Sequence, residues 1–253
     1  MPWLTSRHAI LAVLARGGGG SLCVTADASR HPGNREIISQ CRTAGIAIKT
    51  VNQKWLRDTA GSSARGIAFE LRDAGPGESG GAVVLSNWLK EHSGETPTGP
   101  ILALDHITDP HNLGAILRTA HLLGVPLVIL PARRSALAGD VVYRSSAGAA
   151  AMVPTAVVPN LRTALEECKR AGWWIYAADA GGESLHVATI DSRAVIVLGA
   201  EGSGVSRTIR EGADVVLTIP DDAPGGTTVD SFNVSVAAGI VMYELFRRRI
   251  AGQ

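Results

Sequence analysis

Three short stretches of this sequence combine polar residues and glycines in patterns that could do chemistry. They are "HITDPHNLGAILRTA", "LGAEGSGVS" (198–206) and "IPDDAPGGTTVDSFNVSVAAGI" (219–240), and their notable polar residues are Asn112, Arg118, Glu201, Ser231 and Asn233. Each stretch follows a short apolar run that is typical of a buried strand. Because ligands bind beyond the carboxyl ends of the strands in an open parallel sheet, we expect the three stretches to form one site.

Arg118 is the least expected of these residues, because it is a charged residue with apolar neighbours on the predicted helix. The apolar positions 113, 116, 117, 120 and 123 have the spacing of one helical stripe. The helical neighbours of Arg118, three before it and four after it, are Ala115 and Leu122. A guanidinium stays charged in proteins, so on such a helix it either pairs with a carboxylate or serves a ligand.

Each stretch also has a purely structural interpretation. Asn112 and Ser231 could cap their helices, and "GAEGSG" could be only a tight turn. The glycines lack the GxGxxG spacing of a dinucleotide-binding loop, no helix begins directly behind them, and Glu201 would repel a pyrophosphate. A nicotinamide-dependent oxidoreductase is therefore disfavoured. The His and Cys positions show no metal-ligand spacing, so no metal is expected.

The elements that must position these residues alternate regularly after residue 100. Six apolar runs rich in β-branched residues predict buried parallel strands: "ILALDHI", "PLVILP", "MVPTAVV", "WWIYAADA", "AVIVLG" and "DVVLTIP". Helices are predicted between and after them near 112–124, 139–150, 161–171, 206–212 and 232–249. This alternation is typical of an α/β fold.

A smaller α/β unit is predicted at the start of the chain. Its elements are a helix near 6–15, a strand at 21–25, a helix at 33–44 and strands at 46–51 and 66–72. The next stretch is rich in Gly, Pro, Ser and Glu, which predicts a boundary with a short helix or strand at 83–90. We therefore expect a small domain over 1–75, a linker over 76–99 and a main domain over 100–253.

Charge and composition narrow the class of protein. The chain has 253 residues and a net charge of +1, but residues 1–72 hold ten Lys or Arg against four Asp or Glu. This basic first part suggests a polyanionic partner, with chance asymmetry as the alternative. The three cysteines form no CxxC pair or disulfide framework, which fits a reducing compartment. No apolar stretch has membrane-spanning length, so we expect a cytoplasmic protein and leave a mitochondrial location open.

The three stretches, in this order and spacing, resemble the signature motifs of a known family. "DPHNLGAILRTA", "VLGAEGSGVS" and "SFNVSVAAGIVMYE" are similar to the three motifs of the SpoU (TrmH) RNA ribose 2′-O-methyltransferases. The resemblance covers residues 100–250, and "YRSSAGAAAMVP" and "VPNLRTALEE" are more similar to the large-subunit rRNA guanosine methyltransferases than to the tRNA enzymes. More weakly, "RHAILAVLA", "NREIISQCRTAGIAIKTV" and "RGIAFELR" resemble the family's small N-terminal RNA-binding domain.

The resemblance implies a fold, a cofactor and partners that the strand pattern alone does not show. The main domain would be a knotted, SPOUT-type parallel-sheet methyltransferase domain, preceded by a small α/β RNA-binding domain. The cofactor would be S-adenosylmethionine, and the protein would act as a homodimer on RNA. The cofactor-binding residues that the resemblance implies are Leu198, Gly199, Glu201, Gly202, Gly204, Ile219, Pro220, Phe232 and Asn233.

The implied reaction is attack of a ribose 2′-hydroxyl on the sulfonium methyl group of the cofactor. The family's reactive residue matches Arg118, but a guanidinium starts protonated and is a poor base. We therefore expect Arg118 to hold the nucleotide and stabilise the developing alkoxide. Asn112 would orient Arg118 or the ribose, and Glu201 would anchor the geometry of the site. Ser231 and Asn233 would contact the cofactor's amino-acid end or the ribose.

Two departures from the family pattern and several alternatives remain. The loop 221–230 is long and carries Asp221, Asp222 and Asp230, which predicts weakened cofactor binding unless it folds over the cofactor; Phe232 stands where leucine is usual. In the small domain, Ala64 and Arg65 replace a His–Gln pair. A tRNA ribose methyltransferase, a resistance methyltransferase acting on rRNA and a non-catalytic RNA-binding assembly factor are the alternatives to an rRNA guanosine methyltransferase.

Overall fold

The chain forms two sheets, one of four strands and one of six. The computed structural model describes residues 3–15, 17–71, 82–94, 97, 99–133, 140–222 and 231–252. The predicted boundary between residues 75 and 76 lies outside the described residues. Each sheet carries its own helices and its own buried apolar core.

The small sheet has the strand order β1-β4-β2-β3. Its strands are β1 (Trp3–Leu4), β2 (Gly20–Val24), β3 (Ala47–Thr50) and β4 (Ile67–Leu71), with helices α1 (Arg7–Ala15), α2 (Pro32–Thr43) and α3 (Gln53–Ala60). β2 and β3 are parallel, whereas β4 runs antiparallel to β2. The elements predicted for this part are present. β1 and α3 had no sequence prediction, since β1 has two residues and α3 buries only Leu56.

The large sheet has the order β10-β8-β9-β5-β6-β7, and every neighbouring pair is parallel. Its strands are β5 (Ile101–Leu104), β6 (Val128–Pro131), β7 (Thr155–Val158), β8 (Trp174–Ser184), β9 (Ala194–Leu198) and β10 (Val215–Thr218). Its helices are α4 (Leu85–Glu91), α5 (Pro110–Leu122), α6 (Asp140–Ser145), α7 (Leu161–Arg170), α8 (Arg207–Arg210) and α9 (Val234–Ala251). All six predicted strands are present, and the predicted parallel α/β class is confirmed.

Both faces of the large sheet are buried, as the strand sequences require. Leu102 and Leu104 of β5 pack in the core that α5 and α9 cover, whereas Ile101 and Ala103 pack in the core that α4 and α7 cover. Successive residues of a strand point to opposite faces, so a strand with apolar residues at every position suits a sheet with helices on both sides.

The chain returns from the edge of the large sheet to its middle before its last helix. β10 is the edge strand beside β8, yet α9 packs against α5, which follows the central strand β5. The start of α9 is therefore near the middle of the sheet, where Asn233 lies next to Asn112 of the first polar stretch and Glu201 of the second.

The range predicted as a linker contains a helix that belongs to the large core. Leu85, Trp88 and Leu89 of α4 are buried against the side that α7 covers. Ala82 forms a parallel bridge to Thr155 of β7. We therefore propose that the main domain begins near residue 82 and that the linker is shorter than 76–99.

The small sheet is attached to the large one through α1. Ala151, in the 3₁₀ turn Ala149–Ala151, is buried in the core of the small domain. At Gly148 a Cβ atom would lie 2.9 Å from the carbonyl oxygen of His8 in α1. The same segment holds α5, because the Ser145 hydroxyl donates to the carbonyl oxygen of Pro110 at 3.1 Å. The small domain thus rests on the residues that position the start of α5.

No helix in the described part of the chain is long and apolar enough to cross a membrane. Among these residues there is also no cluster of three or more side chains suited to holding a metal ion. The three cysteines are free and buried. Burial raises the pKa of the Cys41 thiol to about 11 and that of Cys168 to about 12, so neither forms the reactive thiolate at neutral pH.

Candidate active site

The carboxyl ends of β8, β9 and β10 surround a cavity of about 320 Å³, which the start of α9 closes on one side. Eight of the residues predicted for the site line this cavity: Leu198, Gly199, Glu201, Gly202, Gly204, Ile219, Ser231 and Phe232. Pro220 and Asn233 do not line it, but each lies between two residues that do. The structure thus gathers the second and third polar stretches around one cavity.

The loop 199–204 folds tightly upon itself at the edge of this cavity. Ala200 and Gly204 form an antiparallel bridge, and the Gly204 N–H donates to the Ala200 carbonyl oxygen at 2.9 Å. A Cβ atom on Gly199 would lie 2.0 Å from the carbonyl carbon of Gly204. Gly199 is therefore required by the loop's own backbone, because another residue would overlap with it. An approach of these glycines to the cofactor remains a prediction.

Asp105, at the end of β5, ties this loop to the middle of the sheet. Its side chain is only 2% exposed, and its Oδ2 accepts a hydrogen bond from the Ser206 N–H at 2.8 Å. Its own N–H donates to the Leu198 carbonyl oxygen at 2.8 Å, so both ends of the loop are held. Asp105 was not predicted as a site residue, although a carboxylate inside the apolar run "ILALDHI" was an available signal, since an unpaired buried charge is costly.

Asn233 joins the three polar stretches. Its Nδ2 lies 3.2 Å from Asn112 Oδ1 and 3.4 Å from Glu201 Oε2. Its Oδ1 accepts from the N–H of Ser235 at 2.9 Å, which makes Asn233 the N-cap of α9. The cap fixes the side chain of Asn233, and that side chain then holds Asn112 and Glu201 together.

The capping interpretations of Asn112 and Ser231 are wrong. Asp109 caps α5, because its Oδ1 accepts from the His111 N–H at 2.9 Å, and Asn112 lies inside the first turn. Asn233 rather than Ser231 caps α9. Asn112 is thus left to contact Asn233, and Ser231 lines the cavity.

Arg118 lies on the exposed side of α5, away from the cavity lining. Its side chain makes no hydrogen bond or ion pair with any described residue, so the structural ion pair that the sequence left open is not observed in this part of the chain. Its apolar helical neighbours do not bury it, since Leu122 is itself 72% exposed. Arg118 is therefore free to meet a partner.

A bulge in β8 adds a carboxylate that the sequence did not reveal. Ala177 pairs with Val216 and Glu183 with the next β10 residue, Leu217, so residues 178–182 bulge over the cavity. Within the bulge, Asp179 lines the cavity, and its Oδ2 lies 3.3 Å from Arg210 Nε. The Thr218 hydroxyl donates to the Asp179 carbonyl oxygen at 2.6 Å and fixes the backbone of the bulge.

The charges around the cavity are negative. The carboxylates that line it are those of Asp179, Glu201 and Asp221, and no Lys or Arg is among its described lining residues. Phe232, which lines the cavity as well, is 41% exposed. The predicted acidic loop lies mostly at 223–230, including Asp230, outside the described residues. The lining is therefore acidic, although Arg210 pairs with one of its carboxylates, that of Asp179.

Known proteins resemble this chain over nearly its whole length. Residues 99–243 match the SpoU rRNA Methylase family model. A TrmH family protein of Staphylococcus aureus (strain MSSA476) is 32% identical over 97% of this chain and 96% of its own length. The 23S rRNA (guanosine-2′-O-)-methyltransferase RlmB of Xanthomonas campestris pv. campestris is 35% identical over 88% of this chain and 86% of its own length.

The fold is also that of a solved SpoU enzyme. The crystal structure of the SpoU methyltransferase AviRb from Streptomyces viridochromogenes, in complex with AdoMet, aligns with a TM-score of 0.79 at 20% identity. The alignment covers 99% of this chain and 91% of that one. The family and the SPOUT-type fold class that the three motifs predicted are therefore confirmed. The chain belongs to the SpoU (TrmH) family of S-adenosylmethionine-dependent RNA methyltransferases.

Proposed function

We propose that this protein transfers a methyl group to a ribose 2′-hydroxyl of large-subunit rRNA, at a guanosine. The observation that carries the proposal is the meeting of three loops at Asn233, whose amide holds Asn112 and Glu201 beside the cavity. The name of the Xanthomonas relative supports both the rRNA substrate and the guanosine target. Such a substrate would place the protein in the cytoplasm, where bacterial ribosomes are assembled.

The cavity suits S-adenosylmethionine in charge and in lining. Glu201, one of the carboxylates that line it, complements the sulfonium and ammonium groups of this cofactor. Leu217 and Ile219 supply apolar surface for the adenosine part. When bound, the cofactor supplies a methyl group that is activated by the positively charged sulfur.

The residues of the chain must then position and activate the hydroxyl, because an alcohol is a weak nucleophile at neutral pH. Arg118 is exposed and has no partner among the described residues, so its guanidinium is available for a phosphate next to the target ribose. From there it stabilises the negative charge that develops on the 2′-oxygen. Asn112, held by Asn233, orients the ribose at the start of the same helix.

A homodimer would complete this site. Arg118 does not line the cavity of its own chain, which leaves the two halves of the proposed machinery apart. Leu122 of α5 is 72% exposed, and Val236 and Tyr243 of α9 are 50% and 59% exposed. A second copy packed on α5 and α9 would remove this apolar surface from water, which favours association, and would bring an Arg118 side chain to the partner's cavity.

The test is methyl transfer from labelled S-adenosylmethionine to unmodified large-subunit rRNA and, in parallel, to unmodified tRNA. We expect incorporation into rRNA at one alkali-resistant linkage, with a loss of roughly 100-fold or more in the Arg118→Ala variant. Cofactor affinity should not change in that variant, because Arg118 lies outside the cavity. Label in tRNA alone would overturn the substrate, and no label in either RNA would overturn the activity.

A further inference from the structure

A separate pocket lies at the amino ends of β5 and β9, at the opposite edge of the large sheet from the cofactor cavity. Pro100, which directly precedes β5, and Ala194, which begins β9, both line it. We name it the amino-edge pocket and define it, with a volume of about 400 Å³, by Val125, Ile190, Ser192, Met242, Phe246 and Arg249. We propose that it binds a small organic anion, with the acidic group against Arg249 and an apolar body inside the pocket.

Arg249 supplies the positive charge for such a ligand. It is exposed and forms no ion pair or hydrogen bond with any described residue. Its guanidinium carbon lies 5.3 Å from the centre of the Phe246 ring. A Cβ atom on Gly99 would lie 3.5 Å from its Nη1, so the guanidinium is beside the segment that enters β5. The ring contact orients the charge, and the N–H groups remain available for the oxygens of an anion.

The other charged residues of the lining already have partners. Arg248 Nε donates to Glu244 Oε1 at 2.8 Å, and its two terminal nitrogens donate to backbone carbonyl oxygens. Asp191 Oδ1 accepts from the Arg193 N–H at 2.7 Å within its own turn. The described lining thus holds two arginines and one aspartate, and only Arg249 among the three has no hydrogen bond. This balance of charge favours an anion.

The remaining walls of the pocket are mostly apolar. Val125 and Met242 belong to the core that α5 and α9 cover, and Ile190 and Leu245 pack against that core. A pocket of this size takes one small molecule, with apolar side chains around its body and a few polar groups that fix its orientation. Ser192 adds an exposed hydroxyl. A phosphodiester chain, which is bound through several cations, fits this lining poorly.

An anion in the pocket would not compete with the proposed dimer. Val236 and Tyr243 of α9 are seven residues apart and therefore share one face of the helix, and Met242 and Arg249 share another. Neighbouring residues of a helix differ by about 100° in direction. Met242 and Arg249 line the pocket, whereas Val236 and Tyr243 do not. The exposed apolar face assigned to a second copy is thus distinct from the face that forms the pocket.

The pocket is also remote from the cofactor cavity. Asn233 caps the start of α9 and Arg249 lies near its end, which corresponds to about 24 Å along the helix. The two concave surfaces share no described lining residue, and the described lining of the cofactor cavity contains no Lys or Arg. We therefore expect the cofactor and the anion to bind at the same time.

The experiment is a fluorescence titration of the full-length protein with anilinonaphthalene sulfonate, an organic anion with an apolar body. Arg249→Gln removes the proposed partner of the sulfonate, and Ser192→Trp narrows the pocket at an exposed position. Arg247→Gln is the matched control, because Arg247 is an exposed arginine in the same turn of α9 that does not line the pocket. Displacement is measured with naphthoate, with its neutral amide and with S-adenosylmethionine, and thermal unfolding is followed for every variant.

We expect saturable binding of one probe molecule per chain. Arg249→Gln should weaken it roughly tenfold, Ser192→Trp should weaken it as well, and Arg249→Lys should recover most of the affinity because the charge is retained. Arg247→Gln should stay within about twofold of the wild type. Naphthoate should displace the probe roughly tenfold more effectively than its amide, and S-adenosylmethionine should not displace it.

Four results would overturn the proposal. They are the absence of saturable binding, an equal loss in Arg249→Gln and Arg247→Gln, equal displacement by naphthoate and its amide, and displacement by S-adenosylmethionine. Probe binding that falls as the protein concentration rises would show that a second copy covers the pocket, and would also refute it. Methyl transfer is not measured in this experiment, so a failure of the proposed function would leave the pocket unaffected.

Discussion

The two domains use their charged residues differently. In the large domain, cations pair with carboxylates: Lys169 with Asp214 at 2.7 Å, Arg248 with Glu244 at 2.8 Å and Arg210 with Asp179 at 3.3 Å. Within the described part of the small domain, 3–15 and 17–71, no Lys or Arg forms an ion pair. These paired charges of the large domain hold its own structure, whereas the cations of the small domain, like Arg118 of the large domain, remain available to a partner.

The two concave surfaces differ in the same way. The cavity of the large domain owes its shape to backbone turns, namely the glycine loop tied down by Asp105 and the bulge that carries Asp179. A second concave surface, on the small domain at the carboxyl ends of β2 and β3, contains the exposed cations Arg57 and Arg65. A small cofactor is bound in a largely pre-formed pocket, whereas a polyanion is bound mainly through charge. Substitutions around the cavity should therefore change cofactor affinity, whereas substitutions of the unpaired cations should not.

Gly199→Ala should produce the largest effect, a loss of cofactor binding of roughly 100-fold or more. The new Cβ atom would lie 2.0 Å from backbone atoms of Gly204, and backbone cannot move aside as a flexible side chain does. Isothermal titration calorimetry with S-adenosylmethionine gives the readout. Gly202→Ala is the matched control, since its Cβ would meet nothing within 4 Å and its cost is only that of a positive φ. Equal losses of cofactor affinity in the two variants would show that overlap with the Gly204 backbone is not the cause.

Asp105→Ala should come next, with destabilisation of about 2 kcal/mol and a cofactor affinity reduced roughly tenfold. The substitution leaves the half-buried Ser206 N–H without its acceptor and removes the contact with His106 Nδ1 at 2.6 Å, so the loop 199–204 loses its attachment to β5. Urea unfolding and calorimetry measure the two effects. Asp105→Asn retains an oxygen acceptor and should lose less of both. If Asp105→Ala keeps the wild-type cofactor affinity, the hydrogen bond from Ser206 to Asp105 does not determine the shape of the cavity.

Sequence reasoning was most successful where local pattern decides structure. The six strands of the large sheet are short β-branched runs between Gly, Pro and charged residues, and such runs admit few other conformations when both faces are buried. Helix α5 was predicted from its apolar periodicity. The grouping of Asn112, Glu201 and Asn233 also followed from strand order, because carboxyl ends of parallel strands share an edge.

The features that were not predicted depend on contacts between residues that are far apart in the sequence. The bulge that presents Asp179 exists only against β10, whose pairing residues lie far along the chain. The tie from Asp105 to Ser206 likewise joins two loops that are remote in sequence. Helix α3 buries only one residue, so its sequence has no apolar stripe from which a helix could be predicted. The exposure of Arg118 depends on which side of α5 packs on the sheet and on α9.

Glu244→Gln should test the paired charges of the large domain through pH. Hydrogen bonds from Arg247 and Arg248 lower the pKa of the Glu244 carboxyl from 4.5 to about 2. A lowered pKa stabilises the folded state above about pH 4.5, and this contribution is lost as the pH falls toward 2. We expect the variant to lose about 1 kcal/mol at pH 7 and the difference from wild type to shrink below pH 4.5. A pH-independent penalty would attribute the loss to packing rather than charge.

Arg65→Ala should have the smallest effect on stability, within about 0.5 kcal/mol of wild type in urea unfolding at pH 7. Arg65 is exposed and makes no ion pair or hydrogen bond with a described residue, so its removal leaves no buried group unsatisfied. Measured in the same buffer, Glu244→Gln and Arg65→Ala compare the stability effect of removing a paired charge with that of removing an unpaired one. A loss above about 1 kcal/mol would exceed what an unpaired surface cation contributes, and the contrast between the domains would then fail at Arg65.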